Sequence, residues 1–125
     1  MKTNLTPEQS DRLIELGVDP CKASESRIVC KEPYLGAPNR FCNDVKVPFF
    51  TFSDILSLLP RIIKYGNRVC RLKFQAIVSI HDGLSEVWQA CYTHTSCKTN
   101  KEAPELIDAL FELLVWCITN KHIEL

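Results

Sequence analysis

The sequence has few glycines, no net charge and no long apolar run, and each shortage narrows what the chain can be. Gly17, Gly36, Gly66 and Gly83 each stand alone beside a turn signal, so no glycine-rich loop is present to cradle a phosphate against a helix N-terminus. Nucleotide binding through such a loop is unsupported. Fifteen Lys and Arg balance fifteen Asp and Glu, which denies the molecule the overall positive field that non-specific nucleic-acid binders use to displace counterions. Only a local basic patch could serve that purpose. The longest unbroken apolar run, Leu113 to Ile118, is far shorter than the ~20 residues of a membrane-spanning helix. Met1 to Asp11 is polar, with no apolar stretch behind its early lysine, and predicts no secretory signal. These features lead us to expect a soluble, cytoplasmic protein.

Also missing is any C-x-x-C pair, although there are seven cysteines: Cys21, Cys30, Cys42, Cys70, Cys91, Cys97 and Cys117. In an oxidising compartment they would imply a disulfide framework with one thiol left over; in a reducing one they act as small apolar side chains. We expect free thiols. The densest group of metal-ligand types is Cys91, His94 and Cys97. On a strand Cys91 and His94 point to opposite faces, and no fourth ligand is close, so neither a metal nor another cofactor is expected. A thiol nucleophile needs a neighbouring base, and nothing selects one of His81, His94 or His122 as its partner. Glu102, Glu105, Asp108 and Glu112 fall where a helix N-terminus and its solvated face would place acidic residues anyway. The sequence therefore predicts no catalytic residue and no enzyme, with a thiol- or metal-dependent enzyme left as the last alternative.

What is present is the composition of a folded protein. Apolar residues make up 46% and charged residues 24% of 125 residues, enough for one domain that buries roughly two thirds of its unfolded surface. A single α+β domain over 1–125 is expected, with an antiparallel β-hairpin or small sheet packed against N-terminal, middle and C-terminal helices. Thr6, Pro7 and Gln9 write a capping box with proline at the first helical position, and Gly17 suits the exit. Residues 25–47 contain Pro33, Gly36, Pro38 and Asn39 and read as mostly loop, with short strands around Arg27 to Lys31 and Val45 to Phe50 as the alternative. Thr51 caps a middle helix that Pro60 ends, and Gly66-Asn67 is a turn. Cys70, Leu72, Phe74, Ala76, Val78 and Ile80 alternate with polar residues and predict a strand with one core face. After His81-Asp82-Gly83, Val87 to Thr95 reads as the returning strand, with Trp88, Ala90 and Tyr92 on one face. The last helix has acidic residues from Glu102 to Asp108 near its start, Pro104 near its first turn, and Lys121 and His122 beyond its end. Its apolar arc from Leu106 to Ile118 is wide enough to need cover on two sides.

Arg61, Lys64, Arg68, Arg71 and Lys73 form the one basic stretch, and alternation puts Arg71 and Lys73 on the outer face of their strand. Edge-protecting, solvated charge explains them as well as a binding role does. Trp88 and Trp116 suit either core packing or interface anchoring. The candidate interaction surface is accordingly Arg68, Arg71, Lys73, Trp88 and Trp116. Its expected partner is another protein or a second copy of the chain; nucleic acid is the alternative, and a membrane is not expected.

Three segments, from Pro7 to Gly17, Phe50 to Pro60 and Pro104 to Cys117, resemble a group of small proteins of gut anaerobic bacteria, carried on prophages and other mobile elements. The likeness covers both ends and the middle helix and skips residues 25–47. The group has no assigned activity, so the resemblance supplies no catalytic residues. It implies a bacterial or phage source, a cytoplasmic location and an accessory, non-enzymatic role.

Overall fold

The computed structural model describes residues 2–31, 43–79, 85–93 and 100–123. These form an α+β fold. Helix α1 (Pro7–Glu15) begins as its sequence dictates: Thr6 Oγ1 accepts the Gln9 N–H, and Gln9 Oε1 accepts the Thr6 N–H in return. It ends in a Schellman motif, in which Val18 N–H donates to Leu13 and Gly17 N–H to Ile14. Gly17 holds φ of 108° there, a conformation that costs a residue without Cβ little. A 3-10 turn follows at Pro20–Lys22, capped by the Asp19 carboxylate on the Cys21 N–H.

The expectation that 25–47 is mostly loop is corrected. Strands β1 (Glu25–Lys31) and β2 (Asn43–Phe49) pair antiparallel in full register from Glu25↔Phe49 to Lys31↔Asn43. Pro33, Gly36, Pro38 and Asn39, which made the stretch look irregular, all lie between the two strands and outside the described residues. Helix α2 (Phe52–Leu58) carries a second capping box, with Thr51 and Asp54 bonding each other's N–H groups. Asp54 also receives the N–H and hydroxyl of Ser24, tying the start of α2 to the chain before β1.

A four-stranded antiparallel sheet follows, in the order β3-β4-β5-β6: β3 (Ile62–Tyr65), β4 (Arg68–Ser79), β5 (Ser85–Tyr92) and β6 (Lys101–Ala103). Gly66-Asn67 joins β3 to β4 as a two-residue loop, with positive φ at Gly66 and not at Asn67. That is the signature of a type II′ hairpin turn. The turn expected at His81-Asp82-Gly83 lies outside the described residues. Helix α3 (Leu106–Thr119) starts later than the acidic residues suggested: Glu102 belongs to β6, opposite Gln89, and Pro104 precedes the helix.

The core is centred on α3, which packs on β5, β6 and α2. Ile107, Leu110, Leu113, Leu114 and Cys117 are fully buried, and meet Leu13, Phe50, Ile55, Ile63, Cys70 and Tyr92 in one cluster. The wide apolar arc is thus covered on two sides, by sheet and by α2. The N-terminal segment is strapped across this core: Leu5 N–H donates to Phe50 and Phe52 N–H to Thr3. Lys2 Nζ reaches both Asp108 (2.6 Å) and Gln9 (3.0 Å). Among the described residues no helix is long and apolar enough to cross a membrane.

Candidate interaction surface

Strand β4 is twelve residues long and changes partner along its length. Arg68 to Arg71 pair with β3, whereas Leu72 to Ser79 pair with β5. The β3 ladder reaches one bond further, Leu72 N–H to Arg61 at 2.8 Å, and then stops. It stops because the Leu59 N–H, the next that would face β4, is already committed to Ile55 at the end of α2. Leu72 points its main-chain N–H toward β3. Antiparallel alternation therefore directs the N–H and C=O groups of Phe74, Ala76 and Val78 to that same edge. No strand among the described residues takes them up.

Where β3 departs, a cleft of about 460 Å³ opens, lined by Leu56, Arg61, Ile62, Arg71, Leu72 and Phe74. Its size falls in the range of built ligand pockets. A smaller hollow on the outer face is lined by Ile62, Val69, Arg71 and Thr93. Here the sequence reading needs correction. Period-2 alternation places Cys70, Leu72, Phe74, Ala76 and Val78 on the helix-facing side, but cover stops after Leu72: Phe74 is 40% and Val78 59% exposed, and Ala76 is exposed as well. α3 lies over β5 and β6. Ile80 lies outside the described residues. On the outer face Ile62 (56%) and Val69 (62%) are exposed beside the cations.

Along β3 and β4 the charge has one sign, with Glu86 of β5 opposite Val78 at the far end. Residues 61–79 contain Arg61, Lys64, Arg68, Arg71 and Lys73 and not one Asp or Glu. All five cations are exposed, and none forms an ion pair among the described residues. Arg71 and Lys73 do stand on the outer face, as alternation predicted, with Lys73 directly opposite Cys91. Burial raises the Cys91 thiol above its ordinary pKa, against the opposing pull of Lys73.

The five sequence-predicted residues do not form one surface. Arg68, opposite Tyr65 at the hairpin turn, points to the other side of the pleat from Arg71 and Lys73. Trp88 sits on the helix-facing side opposite Ala76 and Ala103, packed partly against the core. Trp116, on α3, is half-buried between the rings of Tyr65 (6.0 Å) and Tyr92 (6.5 Å) and stacks on His122 at 4.9 Å. Sequence reasoning did not connect Arg61, Ile62, Leu56 and Phe74, which the fold brings to one cleft. The signal was available in part, as the acid-free run from 61 to 79.

One cysteine belongs to a hydrogen-bonded relay in the core. Cys117 Sγ–H donates to Tyr92 Oη (3.5 Å), which donates to the Pro60 carbonyl (2.7 Å). Burial pushes the Cys117 thiol up to about 11, although the Tyr92 bond pulls it down. Burial, reinforced by Cys117, also raises the Tyr92 phenol. The relay ties α3, β5 and the α2–β3 junction together. Cys21, Cys70, Cys91 and Cys117 are free thiols. No metal-ligand cluster forms among the described residues, while His81, His94 and Cys97 lie outside them. Compared with known proteins, the chain matches no family model, no curated protein and no solved structure.

Proposed function

We propose that the chain is a non-enzymatic interaction module that docks a protein partner on the basic β3–β4 side of its sheet. The observation that carries this reading is the exposed, acid-free cluster around Arg61, Arg71 and Lys73, set beside an apolar cleft. Unneutralised charge of one sign steers and selects a partner of the other, while the apolar lining supplies area to bury. A second reading, a nucleic-acid accessory factor, rests on the same cations. It accounts less well for Ile62, Val69 and Phe74, which contribute little to a phosphate backbone. A bacterial, cytoplasmic setting and an accessory role in a phage or mobile element are part of the proposal, and their support is the sequence resemblance.

The test is capture from a nuclease-treated bacterial lysate by the wild type and by a triple charge reversal, Arg61→Glu, Arg71→Glu and Lys73→Glu. A protein retained by the wild type and lost by the reversal, with unchanged circular dichroism, is the expected result. Retention by both proteins refutes docking at this face, and capture seen only when the nuclease is left out favours the nucleic-acid reading.

A further inference from the structure

The open edge of β4 has three properties that belong together. It presents unused N–H and C=O groups at Phe74, Ala76 and Val78, as derived above from the Leu72 to Arg61 bond. It runs into the cleft between Leu56, Ile62 and Leu72. It also separates two different faces, with Phe74 and Val78 exposed on the helix-facing side and Lys73, Gln75 and Ile77 on the outer side, where Arg71 follows opposite Ile62 of β3. Unpaired sheet edges are templates for an added strand, and side chains of an added strand alternate between the two faces.

We infer that β4 accepts an extended segment of a partner protein by strand addition, and that this segment alternates apolar and acidic residues. The inference rests on the docking reading above and deepens it. Main-chain bonds to Phe74, Ala76 and Val78 supply registry. Apolar side chains of the segment lie against Phe74 and Val78, with the terminal one entering the cleft. On the other face the acidic side chain nearest the cleft meets Lys73, with Arg71, which stands opposite Ile62 of β3, and Arg61 beyond it in the cleft lining. A second copy of this chain is a poorer occupant: its own β4 carries no acidic residue, so an edge-to-edge dimer leaves the cations unmatched.

The edge groups allow a test that separates strand addition from docking in general. The probe is an eight-residue peptide alternating Val and Glu, with a Val/Lys peptide and single-stranded oligodeoxythymidine as comparisons, followed by fluorescence anisotropy and amide hydrogen exchange. The Val/Glu peptide should bind and slow exchange at Phe74, Ala76 and Val78. Lys73, Gln75 and Ile77, whose amides already face β5, should change little. Lys73→Glu should weaken binding by about tenfold, the loss of one charge-assisted contact. Ala76→Pro removes only an edge-facing donor and should abolish binding without altering the circular dichroism. If Ala76→Pro unfolds the protein, a peptide N-methylated at alternate backbone nitrogens makes the same test from the ligand side. Binding that persists with Ala76→Pro or the methylated peptide, and without edge protection, overturns strand addition while leaving docking at the basic face standing. No binding of the Val/Glu peptide overturns the inferred ligand pattern. Equal protection by the oligonucleotide, or protection that grows with protein concentration alone, overturns the choice of occupant in favour of nucleic acid or a second copy.

Discussion

Tyr92→Phe removes one oxygen atom and tests the relay that fastens α3 to the sheet. The side chain is fully buried, and phenylalanine fills the same volume, so no cavity term arises. The losses include the donation to the Pro60 carbonyl at 2.7 Å and the weaker thiol bond from Cys117 at 3.5 Å. Pro60 is only half-buried, so water can partly replace the phenol at its carbonyl, and the cost should be about 1–2 kcal/mol rather than the larger penalty of a sealed group. For a chain of this size that lowers the thermal midpoint by roughly 3–8 °C. Combining Tyr92→Phe with Cys117→Val in a double-mutant cycle should give a coupling below about 0.5 kcal/mol, because sulfur is a weak donor. The relay also has a pH signature. Both groups have raised pKa values in the fold: the Cys117 contribution is fully present below the ordinary thiol value of 9.0 and is lost as pH climbs through about 11, while the Tyr92 contribution is fully present below the ordinary phenol value of 10.0 and outlasts it. Ultraviolet titration should show the Tyr92 phenol resisting ionisation until alkaline unfolding. A Tyr92→Phe midpoint equal to wild type, or a Tyr92 phenol that titrates normally in folded protein, refutes the reasoning.

Three other substitutions probe single features. Ser10 is buried in α1 with no partner for its hydroxyl, so Ser10→Ala should raise stability by about 1 kcal/mol in urea unfolding; a loss would mean the oxygen is satisfied. α3 ends in the same Schellman motif as α1, His122 N–H to Cys117 and Lys121 N–H to Ile118, but with Lys121 at φ 60° where α1 has glycine. Lys121→Gly should therefore stabilise by about 1 kcal/mol, and a destabilised variant would refute the strain argument. Asp54 is pushed up by burial but more strongly held down by its bonds from Ser24 and Thr51, so its pKa is lowered. Asp54→Ala should cost about 1 kcal/mol at neutral pH, and the deficit should vanish as acid protonates the wild-type carboxyl below about 4, unless the pair of caps is irrelevant to α2.

Local chemistry was the legible part of this fold. Thr6, Pro7 and Gln9, Gly17, Thr51 with Asp54, and Pro60 act through neighbours a few residues away, and the helices start and stop where they direct. The alternation of β4 and the Trp88, Ala90, Tyr92 face of β5 were equally plain. Strands β3 and β6, of four and three residues, are too short to display a period, and they exist because β4 and β5 offer them partners. Gly66-Asn67 between Tyr65 and Arg68 did announce a turn, but Ile62-Ile63 looks as much like a helix end as a strand. The cleft was illegible for a different reason. Leu56 and Arg61 meet Phe74 only after α2, β3 and β4 have packed, whereas the outward direction of Arg71 and Lys73 follows from parity alone.

The exposed half of β4 shows what an alternating pattern does and does not encode. Apolar residues at every second position specify a face, and the placement of other elements decides whether that face is covered. At Cys70 it is, by Ile63 and the helices; at Val78 it is not. If folding were the only demand, position 78 would tolerate a polar residue of similar shape and strand preference, since 59% of its surface already meets water. Val78→Thr should then leave stability within about 0.5 kcal/mol of wild type. The same change places a hydroxyl where an added strand would lay an apolar side chain, so it should weaken Val/Glu peptide binding. Thermal melts and anisotropy on one variant thus separate the two demands on β4. A Val78→Thr protein that loses stability but binds normally would show that the residue serves the fold, and that its exposure carries no docking information.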